Sequence, residues 1–392
     1  MRRDDLVPSR HPYLVRPRGR EHAWALVAPP PPRQLDIDAR HEADLARAYR
    51  ALGQLQGALV RIPNADMVTR TLSRREAVMS SQIEGTRSDL SQLLMYEATR
   101  GDTNLPADVR VTERYVQALN LGLERVRTNG KAALSLGLIH ELHAVLMQDE
   151  PRVAAGRYRD VQVWVGAGRI EDATFVPAPP ECLAEAMALF EQDALRYAPR
   201  EDEFTELSLV ARLAITHAQF ETIHPYEDGN GRTGRLLIPL MMAADGLPPL
   251  YVSGALLARR ADYYASLASV HLKGDWNPWV ALLSRAIVES SDEAIAIATD
   301  LLTLAQRWEE KVKDARAHST VRRLPRFLIG HPVLSVEQAA QGLGVSVPAA
   351  NAALNRLLKE GIVELVEERR RGRVFRAREV LERVDQPPVH RR

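Results

Sequence analysis

A histidine, an aspartate, a Gly-Asn-Gly triplet and two arginines fall within twelve residues, His224-Pro225-Tyr226-Glu227-Asp228-Gly229-Asn230-Gly231-Arg232-Thr233-Gly234-Arg235. These residue types suit the handling of a nucleotide triphosphate. An imidazole, with an ordinary pKa near ~6.5, can take a proton from an attacking hydroxyl. Successive N–H groups of a Gly-x-Gly turn that runs into a helix N-terminus make a concave site for phosphate. Asp228 suits a hard divalent cation such as magnesium, which bridges phosphate oxygens. Arg232 and Arg235, three apart, share a helix face from which guanidinium groups can clamp phosphate. Taken singly, each residue has a plainer use as a helix cap, a turn residue or a solvated face. A plain turn, however, needs neither the histidine nor the arginines at fixed offsets.

The flanking sequence has to hold this loop in place. From Phe204 to Ile223 apolar residues recur at Leu207, Val210, Ala211, Ala214, Ile215, Ala218 and Phe220, the period of a helix with one buried face. His224 therefore sits just past a helix C-terminus, where Pro225 stops the helix and the two glycines permit positive φ. Arg232 to Ala244 reads as a second apolar helix, so the loop feeds a helix N-terminus.

The twelve residues resemble the signature of the Fic (filamentation induced by cAMP) family, H-x-F-x-D/E-G-N-G-R-x-x-R, with Tyr226 at the Phe position as the one departure. The added hydroxyl needs a partner in the core. The resemblance implies transfer of AMP from ATP to a protein hydroxyl. It assigns His224 as general base, Asp228 as the Mg2+ ligand and Gly229, Asn230 and Gly231 as the anion hole, with Arg232 and Arg235 on the β- and γ-phosphates. Thr233 and Gly234 complete the nucleotide-binding loop. The Doc-like branch, which phosphorylates, has a lysine where this chain has Gly231, which argues against a kinase.

Upstream, Ser80-Ser81-Gln82-Ile83-Glu84-Gly85 follows a helical pattern of Val68, Leu72, Val78, Met79 and Ile83, and Gly85 reads as its C-terminal stop. Ser80 and Glu84 share a face. The string resembles the inhibitory motif S/T-x-x-x-E-G/N of the Fic class with an N-terminal inhibitory helix (class II). In that class the glutamate occupies the second arginine of the loop, here Arg235, and keeps the γ-phosphate from docking. A capped helix with a solvated glutamate is the plainer alternative.

Residues 157–180 alternate at Tyr158, Val161, Val163 and Val165 before Gly166-Ala167-Gly168, which predicts a β-hairpin. It resembles the family's flap, with Val165 and Gly166 at its edge, where a target backbone is laid as an added strand. Of the tyrosines in the helical region at Tyr263-Tyr264, Tyr264 is assigned to nucleotide contact, against the commoner fate of packing.

Length and composition frame these sites. The chain has 392 residues, 45% hydrophobic and 26% charged, ordinary for a protein with ample core. A single cysteine, Cys182, excludes an internal disulfide framework. Neither the Met-Arg-Arg-Asp-Asp start nor the Pro-interrupted run Leu236 to Ala244 suits a signal peptide or a membrane span, so a cytoplasmic enzyme without membrane contact is expected. The string Ala28-Pro29-Pro30-Pro31-Pro32 suggests an extended segment lying over a helical body.

Helical patterns dominate residues 36–310, predicting a mostly α fold: a Fic-type helical bundle with a β-hairpin flap, plus a small C-terminal winged-helix domain. The expected blocks are 1–110 with the inhibitory motif, 111–310 as catalytic core, and 321–385. Residues 321–392 hold 14 Lys and Arg against 8 Asp and Glu, a net of +6, against −5 for the rest of a chain whose total is +1. Here one helix begins at Val336, a turn follows at Leu343 to Ser346, and a second helix runs from Val347 to Glu360 with Ser346 as N-cap and Ala350, Leu354, Leu357 and Leu358 buried. A two-stranded wing is expected from Ile362 to Phe375. The pattern resembles a winged helix-turn-helix, with Asn351, Asn355 and Arg356 toward a DNA groove and Arg369, Arg370 and Arg371 on phosphates. A protein-interaction module of the same fold is the alternative.

Two classes of function compete: a self-inhibited adenylyltransferase acting on Ser, Thr or Tyr of a protein, and a nucleotide-sensing regulator working through residues 321–385. Removal of AMP at the same site is a third. Candidate partners are an unidentified protein substrate, the protein itself, a second copy, and DNA.

Overall fold

The computed structural model describes residues 1–62, 65–101, 105–166, 168–203, 205–369 and 372–385. The fold is mostly helical. The chain divides into two units, each assembled from separated stretches rather than from the consecutive blocks expected at 110 and 310: Met1–Gln54 with Gln117–Ser290, and Leu55–Val116 with Ser291–Arg392.

The first unit is organised around the helix Leu209–Ile223, which is buried from Val210 onward except at Arg212. A helix apolar on all sides belongs at the centre of a bundle. The Ser208 hydroxyl caps it by accepting from Ala211 N at 3.3 Å. The helix therefore begins five residues later than the apolar period alone suggests, because capping rather than hydrophobicity sets its start; Phe204 lies outside the described residues. The helices Asn230–Ala244 and Leu183–Phe190 pack against it, and Leu136–Leu146 packs on Asn230–Ala244. Trp279, fully buried on the helix Asn277–Lys311, donates Nε1–H to the Ala214 carbonyl at 2.9 Å. The helix Asn230–Ala244 runs through Pro239 without ending there.

At the start of the chain a two-residue strand pair, Leu14–Val15 with Ala25–Leu26, escapes a periodicity search because it is so short. Leu26 bridges on to Pro177, and Met1, Leu6, Ala25, Phe175 and Val176 form a small apolar core beneath. The proline string lies over the central helix as expected, held where Gln219 Nε2 donates to Pro29 O at 2.6 Å. The predicted hairpin is present in minimal form, as one antiparallel bridge between Val165 and Phe175 with Val165 N to Phe175 O and Thr174 N to Val165 O both 2.9 Å. Ala167 lies outside the described residues.

In the second unit the helix Ala65–Ile83 ends as predicted, with Gly85 at φ +98° and Gly85 N bonded to Gln82 O at 3.0 Å. The C-terminal stretch forms the helix Thr320–Gly330, the strand Val333–Ser335, the helices Val336–Leu343 and Val347–Lys359, the ribbon Glu364–Arg369 with Gly372–Arg376, and the helix Arg378–Asp385. All three strands are antiparallel, with Gly372–Arg376 central. The expected two-stranded wing thus gains a third strand from before the helix pair. Ser346 is the N-cap, accepting from Ala349 N at 3.4 Å. Ala353 joins Ala350, Leu354 and Leu357 in the buried stripe, while Leu358 is only half-buried.

Candidate functional site

The central helix delivers His224 to the site. Its N–H closes the last turn on Phe220 O at 2.9 Å, and the residue itself adopts a left-handed conformation, φ 51° and ψ 61°. Few non-glycine residues do so, and such strain persists only where the surroundings fix it. The ring Nδ1 lies 3.4 Å from the Glu221 carbonyl and 3.8 Å from its carboxylate.

Tyr226 then turns inward and is fully buried. Its N–H donates to Asn230 Oδ1 at 3.0 Å and its carbonyl accepts from Asn230 Nδ2 at 2.8 Å, so the asparagine side chain acts as a template for the turn. The hydroxyl that distinguishes Tyr from Phe finds its partner in His140 Nδ1 at 3.0 Å, and burial raises its pKa well above the ordinary value.

Under the loop sits His143, which sequence reasoning missed. Gly156 N donates to its Nδ1 at 2.9 Å, so Nε2 carries the ring proton and donates to the Asp228 carbonyl at 2.9 Å. Burial lowers its pKa to about 4, keeping it neutral. The signal in the sequence was His140 and His143 on the helix Leu136–Leu146, but an isolated histidine on an apolar helix usually reads as core.

Asp228 and Gly229 form the lip. The Asp228 carboxylate is 64% exposed, accepts from Gly229 N at 2.5 Å and stands 3.5 Å from Arg232 Nη2. A solvent-facing carboxylate of this kind fits a cation that keeps most of its waters and takes its other ligands from phosphate. Gly229 lies at φ +78°, and a Cβ there would come 2.8 Å from Met147 Sδ, so only glycine fits. Gly231, expected to share the positive φ, is instead helical: the helix starts at Asn230, two residues before the predicted Arg232. Its opening amides have no intrahelical acceptor and point at the lip.

The two arginines separate in role. Arg232 is buried, with Nη2 3.5 Å from both Met147 Sδ and Asp228 Oδ2. Arg235 is only 1% exposed, beneath the loop rather than on its rim, and Nη1 donates to the Tyr263 hydroxyl at 3.5 Å. That hydroxyl in turn meets His217 Nε2 at 2.8 Å. Tyr263 and His217 were likewise missed. Tyr264 is 40% exposed, tilted against Tyr263 with the Arg260 guanidinium 5.4 Å from its ring. Thr233 is fully buried and its hydroxyl has no hydrogen-bond partner among the described residues. Gly234 packs tightly against the central helix. Val165 presents an exposed side chain beside Gly166 on the bridged segment.

In the second unit two of the six candidate DNA contacts, Asn355 and Arg356, have partners within the protein. Arg356 pairs with Asp314 at 3.1 Å and Glu360 at 2.9 Å, and Asn355 accepts from Arg373. Arg370 and Arg371 lie outside the described residues. Ser80 is buried and Glu84 exposed at the end of its helix. Among the described residues no helix is long and apolar enough to cross a membrane, and Cys182 is a free thiol.

This geometry coincides with two family models, Fic/DOC family N-terminal over residues 43–124 and Fic/DOC family over residues 133–242. Protein adenylyltransferase fic-1 of Caenorhabditis elegans is 35% identical over 152 residues, 39% of this chain and 27% of the relative. Protein adenylyltransferase Fic of Nematostella vectensis is 27% identical over 239 residues, 60% of this chain and 52% of the relative. The chain thus spans between about a quarter and half the length of these curated relatives. Among solved structures, a Fic family protein from Desulfovibrio desulfuricans G20 superposes with a TM-score of 0.54 at 22% identity, over 89% of this chain and 98% of that one. C. elegans Fic-1 (residues 134–508) gives 0.51 at 25% identity, over 67% and 74%. With both models in order along the chain and the loop intact, residues 43–124 and 133–242 of this protein carry the N-terminal and core regions of the Fic/DOC family.

Proposed function

We propose that this protein is an adenylyltransferase that moves AMP from ATP to a hydroxyl of a protein, releasing diphosphate. The observation that carries the reading is the join between the two central helices, where His224, fixed in a left-handed turn, ends one helix and the next begins six residues on at Asn230 with its first amides open. His224 takes the proton as the hydroxyl oxygen bonds to the α-phosphorus, and the bond from that phosphorus to the bridging oxygen of the β-phosphate breaks. The opening amides and Arg232 hold phosphate oxygens whose charge grows as diphosphate leaves. Asp228 would hold a magnesium ion, which supplies further charge neutralisation when bound. A regulator that merely sensed nucleotide would have no use for the base.

Restraint of this activity by Glu84 acting on Arg235 is a proposal that rests on the sequence motif at Ser80 to Gly85. A cytoplasmic setting fits the single free cysteine. For the C-terminal stretch, the engagement of Asn355 and Arg356 within the protein favours a packing or protein-binding module over a DNA reader.

The test is incorporation of label from α-labelled and, in parallel, γ-labelled ATP into the wild type, Glu84→Gly and His224→Ala proteins. Label from the α-phosphate alone, raised by the first substitution and lost with the second while ATP still binds, is the expected result. Label from the γ-phosphate would mean a kinase.

A further inference from the structure

Arg159 is a charged group that the chemistry above leaves unused. It is 3% exposed, and no carboxylate lies within ion-pairing distance of it among the described residues. Burial lowers its pKa to about 10, so it remains charged at neutral pH. A buried guanidinium without a counter-ion is expensive unless its donors are satisfied. They are spent on backbone carbonyls: Nε donates to His224 O at 2.9 Å, Nη1 to Val161 O at 3.0 Å and Nη2 to Ala178 O at 2.5 Å. The amide of Arg159 also donates to Pro225 O at 3.0 Å.

These four bonds meet at one place for two reasons. His224 is in a strained left-handed conformation, and the carbonyls of His224 and Pro225 are both pinned by this single residue. Val161 and Ala178, for their part, flank the segment that holds the Val165–Phe175 bridge. One guanidinium therefore ties the residue carrying the base to both ends of the segment whose outer edge is Val165. Lysine cannot replace it, because a single ammonium on a flexible stem does not project donors in three fixed directions.

We infer that Arg159 is a positioning residue, setting the distance between the His224 imidazole and a hydroxyl presented along the Val161–Ala178 segment. The inference rests on the transfer reaction proposed above and deepens it. It implies that the segment and the base move as one body. A misplacement of about 1 Å at a reacting centre costs on the order of 100-fold in rate.

The experiment places Arg159→Lys and Arg159→Ala in the Glu84→Gly background. It measures self-labelling from α-labelled ATP over a range of ATP concentrations, ATP binding by calorimetry, and backbone hydrogen exchange across residues 160–178. Arg159→Lys is expected to lower kcat about 10- to 100-fold with KM for ATP within about twofold, and to speed exchange in the segment. Added methylguanidinium is expected to restore part of the rate of Arg159→Ala. An unchanged kcat in Arg159→Lys overturns the inference, as does a loss that appears equally in ATP binding. Should the Glu84→Gly protein with Arg159 intact take up no label, the transfer reading itself fails. Exchange then decides the clamp alone, and an unaltered segment in Arg159→Lys refutes it.

Discussion

The rings of His143 and Tyr226 stack with centroids 3.6 Å apart and planes 5° from parallel. This stack is the floor of the loop: one ring hydrogen-bonds the Asp228 carbonyl, and the other hangs from the backbone that Asn230 organises. The position of the exposed Asp228 carboxylate is thus set from below by neutral, buried aromatic groups, so a ligand bound at the loop would cost little further ordering.

Tyr226→Phe keeps the stack and removes only the hydroxyl that meets His140 Nδ1 at 3.0 Å. His140 is then left short of one partner in a partly buried place, so a loss of about 0.5–1.5 kcal/mol in folding stability is expected. The self-labelling rate should stay within about twofold. Urea denaturation and labelling on the same samples check both halves, and a large fall in rate with unchanged stability would place the hydroxyl in the chemistry.

Gly234→Ala sets two terms against each other. Alanine in mid-helix gains about 1 kcal/mol over glycine, but the new Cβ would lie 2.9 Å from Glu221 Oε1 and 3.2 Å from the Phe220 ring. Both neighbours are buried, so the clash costs about 1–3 kcal/mol and outweighs the gain. Glu221 can relieve it only by shifting its carboxylate, which lies 3.8 Å from His224 Nδ1. A lower melting temperature together with slower labelling is expected; a raised melting temperature would show that the helices simply move apart.

The loop, the two helices it joins and the end of the Ser80–Glu84 helix were legible in the sequence because they rest on short-range chemistry: His-Pro ends one helix, Gly-Asn-Gly starts the next, and Gly85 stops a third. What escaped depends on residues distant in sequence. His143 enters the site because its helix packs on Asn230–Ala244, Tyr263 because its hydroxyl meets His217 of the central helix, and Arg159 meets His224 across 65 residues of chain. The depth of Arg235 was hidden for the same reason, since helical spacing gives the face but not what covers it. A boundary slipped where apolar period and capping disagree, as at Ser208.

Three histidines of the first unit are held neutral by burial, His143 with a pKa lowered to about 4, His217 to about 3 and His271 to about 3. In the unfolded chain each takes up a proton near pH ~6.5. Between pH 6.5 and 4 the unfolded state therefore binds more protons than the folded one. The stability from keeping these rings neutral is complete above pH 6.5 and falls as pH drops, by about 1.4 kcal/mol per pH unit for each ring. Chemical denaturation at pH 7.5 and 5.5 is expected to show a marked loss, and a His217→Gln variant a shallower one. An equal slope in that variant would mean that His217 is already charged in the native state.

The C-terminal stretch does not stand apart from the helix that ends at Ile83. Thr71 donates its hydroxyl to Ile329 O at 2.7 Å, and Gly330 packs so closely on Met67 that a Cβ would sit 3.2 Å from its backbone. The helix Leu90–Thr99 packs on the strand Val333–Ser335 and receives Gln338 Nε2 on Glu97 O at 2.9 Å. Truncation after Ser319 would strip from the helices Ala65–Ile83 and Leu90–Thr99 the packing of Thr320–Gly330 and Val333–Ser335, where each fully buried apolar side chain is worth about 1.5–3 kcal/mol. These losses are large beside the stability of a single domain, so the truncated protein is expected to lose hydrogen-exchange protection over residues 65–99. Ser80 and Glu84 lie within that stretch. If Glu84 restrains transfer, the truncation that loosens its helix should also raise self-labelling, as is expected of Glu84→Gly. Undiminished protection over 65–99 would make the C-terminal stretch an independent module, and lost protection without faster labelling would show that the order of this helix is not what restrains the enzyme.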